Sequence, residues 1–167
     1  MLTIKIKRIR DGIDLPEFIS KGDWVDLRCA QKTTIVGPMK SKDSNTIIFN
    51  NTLIPLGIAV KMPDGFEAIV TPRSSTYKHY GIMQTNSVGV IDASYSGNTD
   101  EWMMPVLSLK KTTIPKNDRI CQFRIQLSQK ATFWQKIKWL FSSKIKIEVV
   151  DNLTDNNRGG FGSTGDK

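Results

Sequence analysis

Leu2, Ile4 and Ile6 alternate with Thr3, Lys5 and Lys7 at the start of the chain, the two-residue period of a strand with one buried face. The alternation returns at Phe66, Ala68 and Val70, at Cys121, Phe123, Ile125 and Leu127, and at Ile145, Ile147 and Val149. Turn-forming clusters separate these runs: Val36-Gly37-Pro38, Pro63-Asp64-Gly65, Ser96-Gly97-Asn98 and Pro115-Lys116-Asn117-Asp118. Short strands punctuated in this way predict an all-β sandwich or barrel. One segment breaks the rhythm. From Phe133 to Phe141, a helical projection puts Phe133, Trp134, Ile137, Leu140 and Phe141 on one arc, with Gln135, Lys136, Lys138 and Trp139 elsewhere. One short helix is expected there, capping the sheet and leaving a single tryptophan partly exposed.

The 167 residues suit one domain with a real hydrophobic core. Hydrophobic residues at 39% and charged residues at 24% exclude a wholly disordered or collagen-like chain. Cys29 and Cys121, the two cysteines, are too far apart in sequence and too few for a disulfide framework, and they suit a reducing compartment. No apolar run approaches the ~20 residues of a membrane span, and the N-terminal MLTIKIKRIR has no secretory apolar stretch. A soluble cytoplasmic protein with no membrane partner is expected.

The net charge of +8 points instead to anionic partners: nucleic acid, acidic lipid or a phosphorylated small molecule. Lys5, Lys7, Arg8 and Arg10 cluster in the first ten residues, and Ser128 to Ile147 carries five lysines and no acid. The basic residues are not interleaved with an aromatic platform, so direct nucleic-acid binding is not expected. After Val150 the composition turns to Asn, Asp and Gly. The expectation is a β body over 1–150 and a flexible C-terminal arm over 151–167.

Three segments carry candidate chemistry. In the arm, Arg158-Gly159-Gly160-Phe161-Gly162-Ser163-Thr164-Gly165 combines a cation, glycines, hydroxyls and one aromatic. Glycines let backbone N–H groups approach phosphate oxygens, and a lone aromatic can cover a flat ring, so the arm suits a lid. Thr71-Pro72-Arg73-Ser74-Ser75-Thr76 places a cation and hydroxyls at a strand exit, suited either to a phosphate or to a plain turn. Asn86-Ser87-Val88-Gly89-Val90-Ile91-Asp92-Ala93-Ser94-Tyr95 sets an acid directly after an apolar pair. Asp92, partly desolvated at a strand end, can act as a base for water, and Tyr95 can pack on a sugar.

These three elements in this order resemble the trimeric deoxyuridine triphosphatase (dUTPase) family. Two further motifs then fit. Gly22-Asp23-Trp24-Val25-Asp26-Leu27 is similar to the family's first motif, and Asn117-Asp118-Arg119-Ile120-Cys121-Gln122 to its fourth. The resemblance runs from about Gly22 to Gly165, and its form is that of Gram-positive bacteria and their phages.

The resemblance implies a distorted antiparallel jelly-roll or β-barrel and a homotrimer whose exchanged C-terminal arms complete active sites shared between subunits. It implies Mg²⁺-assisted hydrolysis of dUTP to dUMP and pyrophosphate, which keeps uracil out of DNA and supplies dUMP for dTMP synthesis. Asp92 would activate the water attacking the α-phosphorus. Asp26 would reach Mg²⁺ through water, the ion being held otherwise by the substrate phosphates. Arg73, Ser74, Ser75 and Gln122 would serve the phosphates; Asn86, Gly89, Val90 and Ile91 the base; Tyr95 the sugar. Arg158, Phe161, Gly162, Ser163 and Thr164 would close the site. Arg158 stands three residues before Phe161, against five in the common form. Trp102 is a lesser candidate for covering the base. The same resemblance leaves room for a regulatory protein partner, as in some phage relatives. The sister reading, a deoxycytidine triphosphate deaminase, would need a carboxylate such as Glu101 against the base. His79, the lone histidine, is read as a loop residue rather than a base.

Overall fold

The computed structural model describes residues 1–18, 22–141, 144–154 and 156–160. The strands in chain order are β1 (Leu2–Arg8), β2 (Val25–Arg28), β3 (Thr33–Ile35), β4 (Met39–Lys40), β5 (Ile47–Ile48), β6 (Thr52–Pro55) and β7 (Ile58–Lys61). There follow β8 (Phe66–Pro72), β9 (Ile82–Gln84), β10 (Gly89–Ile91), β11 (Met103–Ser108), β12 (Thr112–Ile114), β13 (Arg119–Leu127) and β14 (Ile145–Val149). Two short helices interrupt them, α1 (Thr76–Tyr80) and α2 (Phe133–Phe141). The all-β expectation holds, with one correction: the described residues form two helices, not one. α1 spans a single turn and is closed by Gly81, whose φ of 66° is a left-handed cap.

A four-stranded sheet in the order β10-β8-β13-β2 forms the spine of the site. A second sheet, β14-β1-β7, contains the parallel pair β1/β14, and a third runs β6-β11-β9. The alternating sequence does what its period dictates. Ile4, Ile6, Phe66, Ala68, Phe123 and Ile125 turn inward into one core. Trp102 packs edge-on against Phe123 with ring centroids 5.3 Å apart. Each of these two rings is fully buried.

The helix α2 lies the other way up from its expected orientation. Trp139 is half-buried and meets Phe66 edge-on at 5.2 Å. Gln135 lies over Gly65. The apolar arc faces out: Phe133, Trp134, Leu140 and Phe141 are 67% to 82% exposed. Among the described residues, no helix is long and apolar enough to cross a membrane.

Candidate active site

The hairpin from β9 to β10 pairs with β8 through Gly89↔Val70, Val90↔Ile69 and Ile91↔Ala68. Its tip, the following loop and the start of β11 enclose a cavity of about 390 Å³, within the range of small-molecule sites. Asn86, Gly89, Val90, Ile91, Asp92 and Tyr95 all line it, together with Val70, Gln84, Trp102 and Met103 to Pro105. Arg158, Gly159 and Gly160 form its remaining wall. The base, sugar and water positions expected from sequence are therefore brought together.

Asp92 differs from expectation in its environment. Its carboxylate is largely exposed, with side-chain accessibility of 59%, so burial is a secondary influence on it. Oδ1 accepts hydrogen bonds from the backbone N–H and the hydroxyl of Ser94, each at 2.8 Å. Those two bonds hold the Asp92 carboxyl below its ordinary pKa, outweighing the desolvation there is, with Arg158 and Lys130 adding smaller effects of the same sign. Asp92 is thus ionised throughout the neutral range and loses its charge only when pH falls below the usual carboxylate value. Ser94→Ala keeps the backbone bond, the stronger influence, and removes the hydroxyl's share of that depression. The acidic limb of kcat/KM is expected to move to higher pH in this variant, as a pH–rate profile would show.

Tyr95 is half-buried, and its hydroxyl donates to the Glu101 carbonyl at 3.0 Å. Burial, then Asp100 and Glu101, push its phenol pKa up, so it stays neutral. Its ring lies against Gly160, where a Cβ would come within 2.9 Å of Cε2.

Asp100 anchors the arm. Buried, it accepts from the backbone N–H groups of Gly97 (2.9 Å), Arg158 (3.0 Å) and Gly159 (3.1 Å). Asn98 clamps Leu153 through both its backbone groups at 2.8 and 2.9 Å, and Leu153 is buried. Residues 151–154 and 156–160 therefore lie along the chain's own 95–100 loop. A Cβ at Gly97 would overlap Asn157. Gly97→Ala is expected to displace the arm, raising KM for the substrate severalfold while the thermal midpoint moves little; steady-state kinetics beside a melt checks both. Arg158 Nη1 stands 4.0 Å from Asp92 Oδ1. Phe161, Gly162, Ser163 and Thr164 lie outside the described residues.

A second cluster gathers on β2, β8 and β13. Gln122 pairs with Asp26 on one side and Thr71 on the other, so the three share the outward face of the sheet. Arg73 Nε lies 2.7 Å from Asp26 Oδ1 and Arg119 Nη1 lies 3.0 Å from Oδ2. Ser74 is exposed, and Ser75 precedes α1 without a side-chain capping hydrogen bond. Both Asp26 oxygens are engaged by arginines, and no cluster of three or more His, Cys, Asp or Glu suited to a metal exists among the described residues. This donor set fits an ion held by substrate phosphates and reached through water; it does not fit a protein-built inner sphere.

Three sequence expectations are corrected. Trp102 cannot be a lid: fully buried, it is part of the cavity's floor. Glu101 does not line the cavity; it is buried against Arg10, at 2.6 and 2.8 Å, and accepts the Gly57 N–H at 3.0 Å. The deaminase reading thereby loses its carboxylate. For His79 only the loop assignment shifts: it sits within α1 beside Tyr80, and its exposure agrees with the reading of a surface histidine. Sequence reasoning missed Gln84, Asp100 and Arg119. Gln84 Nε2 donates to Asn86 Oδ1 at 2.8 Å and to the Val70 carbonyl at 3.2 Å. Only Arg119 had a local signal, sitting inside the fourth motif.

The dUTPase family model matches residues 39–165. The chain belongs to the dUTPase family. It is 42% identical over 166 residues to the SPbeta prophage-derived deoxyuridine 5'-triphosphate nucleotidohydrolase of Bacillus subtilis, covering 99% of this chain and 100% of that relative. The fold is that of the Streptococcus mutans dUTPase, with a TM-score of 0.61 at 22% identity over 74% of this chain and 94% of that one. It also matches the dUTPase of phage phi11 of S. aureus, a structure described as coordinating a structural Mg(II) ion. There the TM-score is 0.62 at 14% identity over 78% and 94% of the two chains.

Proposed function

We propose that this dUTPase-family chain hydrolyses dUTP to dUMP and pyrophosphate by attack of water on the α-phosphorus. The observation that carries the reading is the convergence of Asp92, Tyr95 and the Gly89–Ile91 backbone on one cavity, closed by Arg158 to Gly160. The hairpin backbone presents N–H and C=O groups to the uracil edge, and cytosine, with a donor where uracil has an acceptor, leaves buried groups unpaired. Gln84 holds Asn86 in place for that reading. Tyr95 packs on the deoxyribose and leaves no room for a 2′-hydroxyl.

Asp92 orients the water and takes its proton. A carboxylate with a lowered pKa is a weak base, so positioning carries much of its contribution. Ser74 and Ser75 donate to the phosphate chain, Gln122 to the α-phosphate, and Arg73 and Arg119 hold Asp26 in its orientation. Asp26 is the residue that would hold Mg²⁺ through water, an ion that would supply charge neutralisation for the leaving pyrophosphate. Arg158, set against Asp92, closes over the water side of the site. The product dUMP would feed dTMP synthesis while dUTP is kept from DNA, in the cytoplasm of the cell or of a phage's host.

The same geometry supports shared sites in a homotrimer. Val70 of β8 lines the base cavity, whereas Thr71 and Arg73 alternate to the phosphate-side cluster, and Arg73, Ser74 and Gln122 do not line that cavity. A neighbouring copy supplies the missing half, and an exchanged arm would make onto its neighbour the contacts that Asp100 and Gly97 make here.

The test is product analysis of dUTP, dCTP, dTTP and UTP with protein and Mg²⁺. Release of dUMP and pyrophosphate from dUTP alone supports the reading; deamination of dCTP contradicts it. Mixing inactive Asp92→Asn and Arg73→Ala proteins after subunit exchange is expected to restore activity, because some mixed sites draw both intact residues. No recovery would sink the shared site.

A further inference from the structure

We propose that α2 docks the protein onto an anionic membrane surface, reversing the expectation of no membrane partner. On an α-helix turning about 100° per residue, Phe133, Trp134, Ile137, Leu140 and Phe141 span roughly 120° of circumference. Gln135 and Trp139, which touch the body, lie on the opposite side. The apolar arc therefore faces away from the protein, with Phe133, Trp134, Leu140 and Phe141 exposed and Ile137 at its centre partly covered. Lys136 and Lys138 are exposed and flank the arc, each about 100° from its centre.

That arrangement is a helix lying in a lipid interface. The apolar side chains enter the acyl boundary, and the flanking lysines extend to headgroup phosphates. The surroundings carry the same sign. No acid occurs between Ser128 and Ile147. A surface concavity beside α2 is lined by Lys5, Lys61 and Lys138, with Asp64 as its single acid. These lysines attract a negative surface, whereas a second copy's α2 laid face to face would bring lysines against lysines.

The full chain is floated with vesicles of phosphatidylcholine alone and of equimolar phosphatidylcholine and phosphatidylglycerol. Flotation is expected only with the anionic vesicles, and less in high salt. Trp134→Glu and Leu140→Glu are each expected to weaken it by about tenfold or more, and the Lys136→Glu/Lys138→Glu pair likewise. All three retain dUTP turnover and near-ultraviolet dichroism, since none of these residues lines the base cavity. No flotation with either vesicle would overturn the proposal, as would anionic binding that Trp134→Glu leaves intact, which would assign it to the basic first strand. A concentration-dependent self-association or a protein complex abolished by Trp134→Glu, without vesicle binding, would give the face to that occupant instead.

Discussion

Replacing Asp92 by Asn is expected to lower kcat for dUTP by roughly two to four orders of magnitude, the usual contribution of a positioned acid–base group. Asn keeps the shape and can still accept from Ser94, which holds Oδ1 through two hydrogen bonds. What it loses is the charge and the capacity to take a proton. Substrate affinity should change little, because the proposed role of Asp92, whose carboxylate sits beside Arg158, is toward the water and not the base. Single-turnover kinetics with a separate binding isotherm distinguishes the two. A variant with unaltered kcat would remove Asp92 from the chemistry.

Truncating Trp102 to Ala is expected to cost about 3–5 kcal/mol of stability, the range for a large buried aromatic. The indole is fully buried, packs edge-on against Phe123, and underlies the base cavity. Such a loss is a large share of a domain's usual ~5–15 kcal/mol, and substrate binding should weaken with it as the floor subsides. Trp102→Phe provides the contrast. The indole Nε1 is buried with no hydrogen-bond partner among the described residues, so its removal forfeits no hydrogen bond and should cost far less than the truncation. Chemical denaturation of both variants tests the pair. An equal loss in each would mean that the N–H, not the packing, matters at this position.

The strand framework was legible because burial on one face of a sheet writes itself locally: Ile4 and Ile6, or Phe123 and Ile125, recur at the period the pleat imposes. The helix α1 was not legible, since five residues give no periodic signal and its buried Thr76 is held by the Ile120 carbonyl, 44 positions away. The site divides in the same way. Residues adjacent in sequence, from Asn86 to Tyr95, were found; Asp100 as the arm's anchor and Arg119 as the partner of Asp26 depend on contacts made by folding. The orientation of α2 was misread because an apolar arc is normally the buried one. Here Trp139, outside that arc, makes the attachment to Phe66. The environment of Asp92 was misread for a related reason: a preceding Val-Ile pair suggests desolvation, but the turn to Ser94 leaves the carboxylate in solvent and hydrogen-bonded.

The most direct test of the central claim is hydrolysis of dUTP by the purified protein with Mg²⁺ in heavy-oxygen water, read by phosphorus NMR. Attack of an Asp92-bound water on the α-phosphorus predicts the label in dUMP and unlabelled pyrophosphate. Label in the pyrophosphate, or no dUMP at all, would contradict it.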